Sequence, residues 1–149
     1  MRKTLLVAFG AAALAGCDFS GGSDAVAPIA SLQASNLPAA DGSADLFFEV
    51  QDASGRSYYR SEVQIGASTE SFQTTLPAGI ELPGAAAQMY VAVYDLGATT
   101  LESRVLARST GFTTADLTAS PLVLQDAPFL SAGNSEATFT VTRSAAVAQ

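Results

Sequence analysis

The stretch Ala34-Ser-Asn-Leu-Pro-Ala-Ala-Asp-Gly-Ser-Ala-Asp-Leu-Phe-Phe-Glu-Val50 decides how this chain is read. It opens on a polar turn, Asn36-Leu37-Pro38, then carries Asp41 and Asp45 on either side of Gly42 and Ser43, and enters the apolar run Leu46-Phe47-Phe48-Glu49-Val50. Glycine lets such a loop bend back on itself, so two carboxylates four residues apart can converge on one point. A hard cation such as Ca²⁺ favours a cluster of oxygens of this kind, and a further carboxylate would help to close it. Further along, Val91-Ala92-Val93-Tyr94-Asp95-Leu96-Gly97 sets Asp95 at the end of a second apolar strand.

Outward from these two runs the pattern is one of short strands and turns. Pro28 to Ala34 reads as a first strand and Leu46 to Gln51 as a second. Asp52-Ala-Ser-Gly55 has Asp at the first position of a turn and Gly at the fourth, so it closes a hairpin onto Arg56 to Val63. Glu70 to Leu76 alternates as a half-buried strand does, and Pro77-Ala-Gly79 and Pro83-Gly84 punctuate the next segment. Gln88 to Tyr94 sets Met89, Val91 and Val93 against Tyr90, Ala92 and Tyr94. Leu101 to Ser109, a helical turn near Thr114 to Leu117, Pro121 to Gln125 and Glu136 to Thr142 complete the series. Eight close-set strands without a long helix predict an all-β, eight-stranded antiparallel Greek-key β-sandwich, preceded by an N-terminal signal helix. Alternation directs Phe47 or Phe48, Val91, Val93, Phe139 and Val141 inward.

With 149 residues, the chain suits one domain and short extensions. It contains no His, which removes the commonest general base, and its single Cys excludes an intrachain disulfide and a Cys-rich zinc site. From Cys17 onward five Arg stand against fourteen Asp plus Glu, a balance of −9 that repels nucleic-acid phosphates. There is no Gly-x-Ser-x-Gly elbow, and nothing pairs a Ser or Thr with an activating base, so the expectation is that the chain is not an enzyme. Arg56, Arg60, Arg104 and Arg108 are spread among acids and read as ordinary surface residues.

The N-terminus reads as a targeting segment. Arg2-Lys3 form a charged start, and Thr4 to Ala13 are apolar but too short for a stable bilayer span. Leu14-Ala15-Gly16-Cys17 then resembles the lipobox of bacterial lipoproteins. That resemblance implies cleavage before Cys17, acylation (palmitate) at its sulfur, and residence in the cell envelope on a membrane that the sequence does not specify. The plain alternative, an ordinary signal peptide with a chance Cys, has to place the only Cys of the chain there by accident. Residues 1–16 are thus expected to be a lipoprotein signal peptide and 17–26, containing Ser20-Gly-Gly-Ser-Asp24, a flexible tether. The sandwich is expected over 27–143 and a tail over 144–149.

The order of the motifs resembles a C2 domain. Ala34 to Pro38 with the loop to Asp45, Arg60-Ser-Glu-Val63 (similar to copines at that point), Ser71-Phe72, Tyr90 to Asp95, and Ser109 to Phe112 with Pro121 to Leu124 follow one another as in that family. The resemblance implies one weak Ca²⁺ site held by Asp41, Asp45, Asp95 and Glu102, through which the domain would meet an anionic lipid surface or a protein partner. The sequence departs from the family at Gly97, where a second Asp is usual, and that reduces the ligand count. Asp-Gly is also a common turn pair, so the same acids serve as solvated turn residues in a metal-free sandwich with an interaction role in the envelope.

Overall fold

Alternation along the strands builds the core. The computed structural model describes residues 29–38, 44–78, 80, 82–84, 86–97, 103–118, 120–127 and 136–144. The signal helix, Cys17, the tether, Asp41, Glu102 and most of the expected tail lie outside the described residues.

Nine strands occur among the described residues: β1 (Ile29–Ser35), β2 (Ala44–Asp52), β3 (Ser57–Arg60), β4 (Gln64–Ala67), β5 (Ser71–Thr75), β6 (Met89–Leu96), β7 (Ser103–Arg108), β8 (Leu122–Gln125) and β9 (Thr138–Arg143). One sheet runs β5-β1-β9-β8; the other runs β3-β2-β6-β7, with β4 also on β2. Every pairing is antiparallel. After visiting β5 in the opposite sheet the chain returns as β6 beside β2, and it closes as β9 beside β1. The result is the antiparallel Greek-key β-sandwich expected from the sequence.

The strand count exceeds the expected eight because the anticipated strand Arg56 to Val63 ends at Arg60 and a further strand, not anticipated, forms beyond it at Gln64–Ala67. β3 and β4 flank the break at Ser61-Glu62-Val63, and both pair with β2. At the break the Ser61 hydroxyl accepts from the Phe48 N–H at 2.9 Å and so replaces a backbone carbonyl.

Leu46, Phe48 and Val50 of β2, Met89, Val91 and Val93 of β6, Phe72 of β5, Leu32 and Ala34 of β1, and Phe139 and Val141 of β9 form one buried cluster between the sheets. The expected inward residues are all buried, and the choice between Phe47 and Phe48 resolves by face. Phe48 points into the core and stacks on Phe72 of the other sheet, with ring centroids 4.5 Å apart and an interplanar angle of 7°. Phe47 belongs to the outer face, where Tyr94 and Arg60 cover it. The 3-10 turn at Asp116–Thr118 lies close to the expected helical turn, and its start is tied by the Asp116 carboxylate to the N–H and hydroxyl of Thr113 at 2.7 and 2.9 Å.

The hairpin between β2 and β3 forms as its turn residues demand. Gly55 takes a φ of +86°, and its N–H donates to the Asp52 carbonyl at 3.1 Å. One Asp52 carboxylate oxygen accepts from the Ser54 hydroxyl, the Ser54 N–H and the Arg56 N–H at 2.6, 2.8 and 3.0 Å. The Ser54 hydroxyl, joined by these N–H groups and the Tyr58 hydroxyl, holds the Asp52 carboxyl below its ordinary value of 3.8. A depressed carboxyl stabilises the fold above its unfolded pKa, and that contribution is lost as pH falls through the folded value. Hydrogen-exchange protection at Ser54 and Arg56 is therefore expected to fall selectively below pH 3.8. Unchanged protection there down to global acid unfolding would contradict this role.

Candidate functional site

β2 begins where β6 ends, so Asp45 and Asp95, distant in sequence, come to adjacent strands. Asp95 lies opposite Leu46 in the register. The Asp45 N–H donates to Asp95 Oδ1 at 3.3 Å, and the Gly66 N–H donates to Asp45 Oδ1 at 3.0 Å. Gly66 presents its N–H from a left-handed conformation, φ +65°, on β4. The other Asp95 oxygen faces Arg104 Nη2 at 3.6 Å, and Arg104 is opposite Asp95 in the β6–β7 register.

Two of the four expected ligands are thus brought to one end of the sandwich, and Asp41 and Glu102 lie outside the described residues. The two described carboxylates fasten β2, β4, β6 and β7 to one another. The Asp95 side chain is only 16% exposed, while that of Arg104 is 65% exposed, so the guanidinium supplies positive charge from the solvent side. Among the described residues no group of three or more His, Cys, Asp and Glu is arranged to hold a metal ion. Ile65, next to Gly66 on β4, is 85% exposed.

A second polar assembly occupies the outer face of the β3-β2-β6-β7 sheet. Phe47 and Tyr94, opposite one another on β2 and β6, stack with centroids 5.0 Å apart and a 5° interplanar angle. The Arg60 guanidinium lies 4.1 Å from the Phe47 centroid, that of Arg108 lies 3.9 Å from the Tyr90 centroid, and that of Arg56 lies 5.3 Å from the Tyr58 centroid. A cation over an aromatic face gains from the ring quadrupole while its stem covers apolar surface. Gln51 Nε2 donates to Glu49 Oε2 and to the Tyr94 hydroxyl, both at 2.6 Å. Three of the four arginines read from sequence as ordinary surface residues, Arg56, Arg60 and Arg108, are therefore aromatic-stacked groups on one face, while the fourth, Arg104, pairs with Asp95. Alternation already placed Tyr90 and Tyr94 on one side of β6, but which Arg lies over which ring depends on strand register.

No family model matches the chain, and no curated protein matches it. Among solved structures it is similar to a C2 domain (the A domain) of plant extended synaptotagmin 1, at 11% identity over 79% of this chain and 98% of that one, with a TM-score of 0.41. Nothing about function follows from a similarity at that level. No helix among the described residues is long and apolar enough to cross a membrane.

Proposed function

We propose that this chain is a lipid-anchored protein of a bacterial cell envelope whose C2-like sandwich acts as a binding module without catalysing a reaction. The observation that carries the reading is Leu14-Ala15-Gly16-Cys17, with the sole Cys of the chain at the acylation position behind a charged and an apolar segment. One acyl chain holds a protein to a membrane only marginally, whereas two or more hold it firmly, so lipidation at Cys17 makes a lasting anchor. Produced in a lipoprotein-processing bacterium, the full-length protein should partition into detergent and incorporate labelled palmitate, and Cys17→Ser should lose both behaviours. Unchanged partitioning and labelling in Cys17→Ser would remove the anchor from the account.

At the loop end the arrangement favours metal-independent binding of a membrane surface or protein partner. Both oxygens of Asp95 already have partners, the Asp45 N–H and Arg104. A second reading, one weak Ca²⁺ held by Asp41, Asp45, Asp95 and Glu102, draws on the convergence of Asp45 and Asp95. Calcium that binds only the folded state stabilises it by RT ln(1 + [L]/Kd). On the first reading, Ca²⁺ up to about 10 mM, above the Kd of the weakest extracellular sites, leaves the melting temperature unchanged. A rise of several degrees that Asp95→Asn abolishes, and that Mg²⁺ reproduces poorly, would establish the second.

A further inference from the structure

Neither the anchor nor the loop end uses a hollow of about 290 Å³ on the outer face of the β3-β2-β6-β7 sheet. Gln51, Tyr94, Val105 and Arg108 line it, and the turn from Ala53 to Gly55 forms one wall. We propose that this hollow binds one acidic sugar residue of a glycan, a hydroxylated pyranose ring bearing a single carboxylate.

The size sets the first limit, because a hollow this small is at the bottom of the range for ligand pockets and takes one ring. Its polar groups set the second. Gln51 is only 7% exposed, and its Nε2 spends both hydrogens on Glu49 Oε2 and the Tyr94 oxygen. An amide group facing a carboxylate at 2.6 Å has to be the nitrogen, so the acceptor Oε1 is the atom left without a partner among the described residues. Tyr94 accepts from Gln51, which leaves its own hydroxyl hydrogen to donate. An acceptor and a donor joined by one short hydrogen bond match adjacent sugar hydroxyls, each of which can both give and receive a proton. The pair is rigid, since the Tyr94 ring is stacked on Phe47 and Phe47 is 1% exposed. Groups fixed before the ligand arrives lose little entropy on binding.

Charge sets the third limit. In a chain with a balance of −9 beyond Cys17, Arg56, Arg60 and Arg108 gather on this one sheet. Arg60 is drawn toward Glu49 at 3.9 Å, and the Asp52 carboxylate sits in the turn that walls the hollow. Arg108 lines the hollow and brings positive charge to it, held over Tyr90 with Nη2 3.5 Å from the Asp52 carbonyl. A single carboxylate suits that balance. A phosphate dianion would meet Glu49 and Asp52 at short range with one guanidinium to offset them.

Calorimetric titration of the full-length protein with tetragalacturonate, maltotetraose and inorganic phosphate tests this. Saturable binding of the uronate oligomer is expected, about ten-fold tighter than the neutral oligomer because a charge-assisted contact is lost in the latter. Phosphate at the same concentration should not displace it. Tyr94→Phe keeps the ring on Phe47 and removes only the hydroxyl, so it should weaken uronate binding about five-fold while the protein stays folded. Arg108→Gln should bring the two oligomers to equal affinity. The proposal is overturned by no saturable uronate binding up to about 10 mM, by displacement with phosphate, or by wild-type affinity in Tyr94→Phe.

Discussion

Phe48→Ala is expected to lower the unfolding free energy by about 3–5 kcal/mol, the usual cost of emptying a Phe site in a packed core. Phe48 is fully buried at the middle of β2 and stacks face to face on Phe72, so it joins the two sheets across the sandwich. Its backbone N–H and C=O are both bonded to Ser61, at 2.9 Å each, which keeps this part of β2 from shifting into the space left behind. The neighbours that could relax, Val91 and Val93 of β6 and Val50 of β2, are short β-branched side chains with little reach. Lost transfer energy and the surviving cavity therefore add. For a domain whose total stability is about 5–15 kcal/mol, such a loss approaches the whole reserve. Urea unfolding is the direct check: the midpoint should drop sharply with the slope unchanged. A change below about 1 kcal/mol would mean that this ring pair is not what holds the sheets together.

Which interactions are periodic determines how much of the structure the sequence disclosed. Alternation along β6 and β9 is written into consecutive residues, so the inward set Val91, Val93, Phe139 and Val141 was legible before any register was known. Phe47 was not separable from Phe48 in sequence, because two adjacent aromatics satisfy either phase. Its burial on the outer face comes from Tyr94 across the strand pair and from Arg60, and both contacts depend on register. The same reason hides Arg104 as the partner of Asp95, although the resemblance of the motif order to a C2 domain implied that Asp45 and Asp95 would meet. The break between β3 and β4 was illegible for a different reason. Sequence patterning counts side chains by polarity and cannot show one acting as a backbone acceptor, as Ser61 does. The metal reading divides likewise: Gly97 announced a reduced ligand count, but the use of Asp45 Oδ1 to fasten Gly66 required the position of β4.

Ser61 and Ser109 repeat one arrangement on either side of the central β2–β6 pair, and their replacement is expected to have the other large effect. The Ser61 N–H donates to the Phe48 carbonyl, its hydroxyl accepts from the Phe48 N–H, and the same hydroxyl donates to the Glu62 carbonyl, each at 2.9 Å. Ser109 does the same with Val91 and Thr110: its N–H donates to the Val91 carbonyl at 2.8 Å, and its hydroxyl bonds the Val91 N–H and the Thr110 carbonyl at 2.9 Å each. Both serines are buried, at 6% and 0% exposure, so water cannot readily take the place of a deleted hydroxyl. Alanine leaves the N–H of Phe48 or Val91 without an acceptor inside the sheet, and an orphaned buried donor costs about 1–3 kcal/mol. Each serine serves a different strand, so the double replacement is expected to cost about 2–6 kcal/mol by simple addition of that range. Denaturant unfolding gives the size of the effect, and hydrogen exchange gives its location. Protection should fall at Phe48 in Ser61→Ala and at Val91 in Ser109→Ala, beyond the uniform loss that global destabilisation brings to every slow amide. If both variants unfold within about 0.5 kcal/mol of the parent, the scale of an ordinary surface change, the serine hydroxyls are not what satisfies the centre of this sheet.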